Sequence, residues 1–162
     1  MDPRQFRNTL GHFATGVTVI TTKNEEELIG LTANAFSSLS LDPPLILVCI
    51  DKKAGSLSAF KQGRSFVVNI LQEEQEEECW RFAKRSEDKF ANSSYTLSSH
   101  GIPVLNNNIA TLECTVEELL EGGDHIIVTG KVEAVSYDEE KSPLLFFRGK
   151  IGQMKKEEKL IK

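Results

Sequence analysis

Ala110-Thr-Leu-Glu-Cys-Thr-Val-Glu117 alternates apolar and polar residues at every step. A period of two belongs to a strand with one face in a core and one face in water. Gly122-Gly123-Asp124 then supplies residues suited to a tight turn, and His125 to Tyr137 returns as a long strand. A strand, a short turn and a returning strand make an antiparallel pair. The rest of the chain repeats that grammar.

Working outward, Val17 to Thr22 is rich in β-branched residues and reads as a strand. The polar stretch Lys23 to Glu27 turns it, so Leu28 to Ala33 is expected as its hairpin partner. Leu45 to Ile50 is an unbroken apolar run after Pro43-Pro44 and reads as a strand buried on both faces. Phe66 to Leu71 and Leu144 to Arg148 are further strands. Two or three helices are expected. The first is capped by Asp2 with Pro3 at its first position. A short one covers Leu57 to Gln62 behind Ser56, and another covers Glu73 to Ala83 with Trp80 and Ala83 as its apolar edge. Ser86 to Asn108 is turn-rich and reads as a long loop. About seven strands joined by short turns favour a mainly β chain, an antiparallel barrel with appended helices, over a doubly wound parallel sheet. One domain over 1–154 is expected, followed by a charged tail at 155–162.

Composition narrows the function. The chain has 162 residues, 40% hydrophobic and 27% charged, enough for a packed core. The net charge of −5 and the lack of a basic stripe argue against nucleic acid. A phosphate-bearing ligand would need a local patch set against that sign. No charged-then-apolar leader and no membrane-length apolar run is present, so a cytoplasmic location is expected. Cys49, Cys79 and Cys114 are odd in number and widely spaced, which points to neither a disulfide framework nor a zinc site. No GxGxxG, Walker loop, HExxH or GxSxG occurs, so no metal and no catalytic side chain is assigned.

The segment Gly30-Leu-Thr-Ala-Asn-Ala-Phe-Ser-Ser-Leu-Ser-Leu-Asp-Pro-Pro44 offers small residues, hydroxyls and an amide in place of acids and bases. That suits a flat ligand whose own ring carries the chemistry. Gly30 permits close approach, Thr32 and Asn34 can meet the polar edge of a flavin, and Ser37, Ser38 and Ser56 can meet its phosphates. Lys52, Lys53 and Arg81 can neutralise charge. Ser37, Ser38 and Ser40 read equally well as ordinary turn hydroxyls.

Several motifs in order carry a family resemblance. They are Phe13-Ala-Thr-Gly-Val-Thr-Val-Ile-Thr-Thr22, the Gly30 to Pro44 segment, Cys49-Ile-Asp51 with Ser56, Phe66-Val-Val-Asn-Ile-Leu71, Arg81-Phe-Ala83 with Phe90, Gly123-Asp-His125, and Pro143-Leu-Leu-Phe-Phe-Arg-Gly149. Together they cover about Phe6 to Gly149. The chain resembles the flavin reductase domain family, whose fold is the FMN-binding split β-barrel of antiparallel Greek-key type, and in particular the reductase components of two-component flavin monooxygenases. The resemblance implies that Gly30, Leu31, Thr32, Ala33 and Asn34 line the flavin ring. It implies that Asn34, Ala35, Cys49, Ile50, Asp51, Gly55 and Ser56 approach the ribityl chain and phosphates, and that Arg81 also reaches the flavin. His125, Phe147, Arg148 and Gly149 would flank the nicotinamide side. Relatives often carry Ser at the position of Ala35, and Tyr or His near Phe146-Phe147.

The implied reaction is NAD(P)H + flavin + H⁺ → NAD(P)⁺ + reduced flavin, with FMN or FAD as the flavin and NADH or NADPH as co-substrate. The protein would hold two rings about 3–3.5 Å apart. A homodimer and a separate oxygenase that uses the reduced flavin are the implied partners. Two other readings stay open: a flavin-binding carrier or electron-transfer protein without reductase activity, and an enzyme like the pyridoxamine-phosphate oxidases.

Overall fold

The structure is a computed structural model that describes residues 1–85 and 88–155. Its helices are α1 (Pro3–Leu10) and α2 (Glu76–Ala83), with a single 3₁₀ turn at Leu57–Ala59. The strands are β1 (Thr15–Gly16), β2 (Thr18–Asn24), β3 (Glu27–Ala33), β4 (Phe36–Leu41), β5 (Pro44–Asp51), β6 (Ser65–Ile70), β7 (Tyr95–Leu97), β8 (Pro103–Leu105), β9 (Ala110–Gly122), β10 (His125–Tyr137), β11 (Leu144–Phe147) and β12 (Lys150–Gln153). Seven of them form one antiparallel sheet in the order β3-β2-β6-β9-β10-β5-β4. Strands β1, β11 and β12 form a small second sheet, and β7 pairs with β8. The outer strands β3 and β4 are consecutive, linked only by Asn34-Ala35, yet the ladder does not close between them. The chain is thus mainly β and antiparallel with few helices, as expected, while the large sheet is not a closed barrel.

The hairpins follow their turn residues. Gly122 and His125 pair across a two-residue loop in which Gly123 has φ +73°, the conformation glycine adopts without strain. That turn sets the β9–β10 register next to the loop, and two irregularities, between Thr129 and Gly130 and between Val132 and Ala134, shift it along the alternating segment. Asp2 caps α1 by accepting from the Arg4 amide at 3.0 Å.

Two apolar clusters sit on opposite sides of β2. Ile20 joins Ile46, Val48, Ile50, Phe66, Val68, Val116 and Val128. Val17 and Val19 join Leu71, Cys79, Phe82, Phe90, Leu105 and Leu144. Hence β2 and β6, and not β5, are buried on both faces: Thr18 through Thr22 are all buried, as are Phe66 through Asn69. Strand β5 instead alternates, with Ile46, Val48 and Ile50 buried and Leu45, Leu47 and Cys49 half-buried. An unbroken apolar run fixes neither face by itself; here only one face meets a core. Thr21 tolerates burial because its hydroxyl donates to the Pro103 carbonyl at 2.5 Å.

Other expectations also shift. Helix α2 begins at Glu76 and turns Cys79 and Phe82 inward, while Trp80 is 43% exposed and Ala83 is exposed. The expected helix at Leu57 to Gln62 is only the 3₁₀ turn. The expected loop from Ser86 holds the β7–β8 hairpin, pinned by buried Asn69, whose Oδ1 accepts from the Leu105 amide at 2.8 Å and from Asn108 at 2.9 Å. Strand β12 extends the Leu144 to Arg148 strand into a hairpin. The tail beyond Lys155 lies outside the described residues.

Candidate functional site

Gly30 sits in the middle of β3, opposite Thr21 of β2. It lies against Phe82 of α2 and Phe90, so a strand, a helix and the segment after the helix meet there. Thr32 secures the same junction from two residues along. Its hydroxyl donates to the Cys79 carbonyl at 2.6 Å, tying β3 to α2. Thr18 does the equivalent at the strand end, donating to the Ala33 carbonyl at 2.6 Å.

A cleft of about 530 Å³ opens beside this junction, walled by Gly30, Leu31, Thr32, Asp51, Gly55 and Ser56. Among the described residues its charged groups are Asp51 at the end of β5, Lys53 on the loop that follows, and Lys84, Arg85 and Lys89 after α2. In a chain of net charge −5 this is a local cationic patch of the kind phosphate binding requires. Lys89 Nζ donates to the carbonyls of Gly30 (3.1 Å) and Phe82 (3.0 Å), bridging strand and helix. Burial pushes its ammonium below the usual lysine range.

Asp51 ends β5 and shapes the loop that follows. Its carboxylate accepts from the Lys53 amide at 2.8 Å, and its carbonyl accepts from the Ala54 amide at 2.9 Å. That turn presents Gly55 and Ser56 to the cleft. Ser56 opens the 3₁₀ turn, and its side chain makes no capping bond there. Three residues of 3₁₀ structure carry little dipole, so a helix N-terminus is not the source of anion affinity at Ser56.

The other expected residues take different places. Asn34 and Ala35 are exposed at the β3–β4 link, where the Ala35 carbonyl accepts from the Cys49 amide at 3.0 Å. Ser37 and Ser38 are exposed on β4, and the Ser37 hydroxyl donates to the neighbouring Ser38 carbonyl. Cys49 is half-buried and Ile50 belongs to the core. Arg81 does not line the cleft; it pairs with Glu77 and Glu78 and donates to Ser93. Lys52 pairs with Glu121. Ala33 packs against the Ile20 cluster.

His125 faces Asp51 across the β5–β10 ladder, one strand from the cleft. Its Nδ1 lies 2.7 Å from the Asp124 carboxylate, and that hydrogen bond, before any charge effect, holds the Asp124 carboxyl below its usual range. Phe147, Arg148 and Gly149 lie apart, at the β11–β12 turn. The Arg148 amide donates to the Gly11 carbonyl at 2.8 Å, and the Phe147 ring meets His12 edge-on. Neither they nor His125 line this cleft. Among the described residues no cluster of His, Cys, Asp and Glu is placed to hold a metal.

Lys84, Arg85 and Lys89 are charged cleft residues that the sequence alone does not single out. Their signal was a basic group between Ala83 and Phe90 in a chain that is acidic overall. The arrangement can bind a phosphate-bearing planar ligand on backbone, hydroxyl and ammonium groups.

Known proteins share this plan. The reductase subunit of a flavin-dependent monooxygenase from Rhodococcus jostii is 44% identical over 149 residues, covering 92% of this chain and 76% of that protein. A flavin reductase of Pseudomonas putida is 37% identical over 153 residues, covering 94% and 90%. Among solved structures, a nitrilotriacetate monooxygenase component B homologue from Mycobacterium thermoresistibile superposes with a TM-score of 0.90 at 43% identity, covering 95% of this chain and 87% of that one. An NADH:FAD oxidoreductase of Streptomyces globisporus, in complex with NAD and FAD fragments, gives 0.91 at 36% identity, covering 95% and 93%. The first two of these relatives are named as the reductase subunit of a flavin-dependent monooxygenase and as a flavin reductase. The model of the flavin reductase like domain matches residues 10–155, and the chain belongs to that family.

Proposed function

We propose that this protein is an NAD(P)H-dependent flavin reductase that holds flavin in the Gly30–Thr32 cleft and passes reduced flavin to a separate oxygenase. The observation that supports it most is that Lys53, Lys84, Arg85 and Lys89 line one cleft together with small and hydroxyl-bearing residues in an acidic chain. When bound, the flavin accepts hydride from the nicotinamide and needs no protein nucleophile. The chain's own residues bind and orient. Gly30 and Leu31 border the ring, Thr32 fixes the wall to α2, and Gly55 and Ser56 meet the phosphate. N–H donors near the ring also favour the negative charge that the flavin gains on reduction. Asn34, Ala35, Ser37, Ser38, Cys49, Ile50 and Arg81 belong to the proposed flavin surroundings through the family resemblance. His125, Phe147, Arg148 and Gly149 are assigned to the nicotinamide side on the same ground.

The fold reading is a split barrel over 1–154, and the location is cytoplasmic. The assembly is a homodimer. Phe6 and Leu10 of α1, nearby Phe13, and Leu39 and Leu41 of edge strand β4 are all exposed. A second copy covers such apolar surface and an open edge. No helix among the described residues is long and apolar enough to cross a membrane.

Purified protein is to be mixed with each pairing of FMN or FAD with NADH or NADPH, following loss of the nicotinamide absorbance. Turnover with at least one pairing is expected. Retained flavin with no turnover would select the carrier reading.

A further inference from the structure

We propose that a second cleft, on the far side of Lys89, receives the adenosine half of a dinucleotide, so that the site favours FAD over FMN. This rests on the flavin-reductase reading above. The second cleft has a volume of about 710 Å³ and shares Gly30, Gly55, Ser56 and Lys89 with the first. A ligand whose phosphates lie over Gly55–Ser56 therefore has room on both sides. Each cleft falls within the roughly 300–1,000 Å³ of small-molecule sites.

The two clefts differ in charge. The first carries Lys53, Lys84 and Arg85 against Asp51. In the second, the charged residues among those described, besides the shared Lys89, are Glu27 and Asp88. A phosphate is disfavoured beside two carboxylates, whereas a neutral base with an exocyclic amine donates to them. Asn24 can both donate to and accept from such a base. Tyr95 adds an aromatic wall, braced by Phe90 at a ring separation of 5.4 Å. Lys89 stands at the junction. An ammonium has three N–H donors, and those to Gly30 and Phe82 account for two. The third remains for a diphosphate that passes between the clefts.

FAD and NAD(P)H both carry an adenosine diphosphate, and the test separates them. Ser58 is exposed on the rim of the second cleft, outside the first. In the full-length protein, Ser58→Trp is expected to raise the KM for FAD about tenfold while leaving that for FMN within about twofold. Glu27→Gln, a change too small to disturb folding, is expected to act in the same direction with smaller size. AMP is expected to inhibit competitively against FAD. Competition against NADH with FMN as the flavin would instead assign the cleft to the pyridine nucleotide's adenosine. Equal effects on FMN and FAD, or no AMP competition with either substrate, would overturn the proposal. If no flavin turns over, the reductase reading fails; calorimetric titration with AMP then decides the cleft separately, and no binding rejects it.

Discussion

Gly30 and Phe82 contend for one volume: a Cβ on Gly30 would lie 2.6 Å from both Cδ1 and Cε1 of the Phe82 ring. The ring belongs to the buried cluster beneath α2, and Phe90 stands 3.1 Å from the same point. Glycine here serves the closeness of helix and strand, and through it the shape of the cleft wall. Gly30→Ala is therefore expected to cost about 1–3 kcal/mol, the range for an overpacked core. The KM for flavin should rise with it. Phe82→Leu in the same chain vacates the space and should restore part of the melting temperature. A single Gly30→Ala variant that melts like the parent would mean that Phe82 moves freely, and the wall would then not depend on this contact.

Asp51 is read as the residue that shapes the Lys52–Ser56 loop, with its carboxylate turned back onto the Lys53 amide. Asp51→Ala removes the acceptor and is expected to cost about 0.5–2 kcal/mol, as loss of a comparable cap does. It should also raise the flavin KM, because Gly55 and Ser56 are presented by that turn. Asp51→Asn keeps an oxygen in place and should behave nearly like the parent. Steady-state kinetics on the pair decides the matter. Equal damage from both changes would show that the negative charge, and not the turn, matters.

What could be read beforehand follows the range of the forces. The β9–β10 hairpin was legible because alternation and a Gly-Gly-Asp turn are local signals. The β2–β3 pairing was legible for the same reason. Burial of β2 on both faces was not, since it depends on α2 and the β7–β8 hairpin arriving from far along the chain. The inward turn of Cys79 and Phe82 was missed because Trp80 is the more apolar-looking residue; in place, its indole donates to Glu76 on the helix surface at 3.2 Å. At the site, Gly30, Thr32 and Ser56 follow from residue chemistry and Asp51 from the family resemblance, and all four line one cleft. Lys89 escaped notice because its role arises from carbonyls of β3 and α2, distant from it or unremarkable in sequence.

Cysteine reactivity offers a check on the core. Cys114 lies between the β6 and β10 partners of β9, and its thiol is pushed up to about 12, first by burial and then by Glu133 and Glu113. At pH 8 only about one molecule in 10⁴ would carry the thiolate. The thiols of Cys49 and Cys79 are also raised, chiefly by burial. Native protein should therefore resist iodoacetamide at Cys114, with peptide mass spectrometry as the readout, whereas unfolded protein should label at all three. The labelling rate at Cys114 should climb about tenfold per pH unit below its pKa. Modification in the native state at the rate of a free thiol would contradict this packing of β9.

Salt separates the cationic wall from the rest of the cleft. Lys53, Lys84, Arg85 and Lys89 line the cleft of a protein of net charge −5, so under the proposed binding mode their attraction for phosphate is local and screenable. The Debye length falls from about 20 Å near 20 mM salt to about 4 Å near 0.5 M. The KM for FMN is expected to rise by about three- to tenfold across that range, with kcat little changed, because phosphate contacts act on binding and not on hydride transfer. Riboflavin has the same ring and no phosphate, so its KM should stay nearly level. Lys84→Ala with Arg85→Ala should flatten the FMN response toward that of riboflavin. A riboflavin KM that climbs in parallel with the FMN value would place the salt effect on the ring or the protein as a whole, and the four cations would lose their assignment as the phosphate-reading wall.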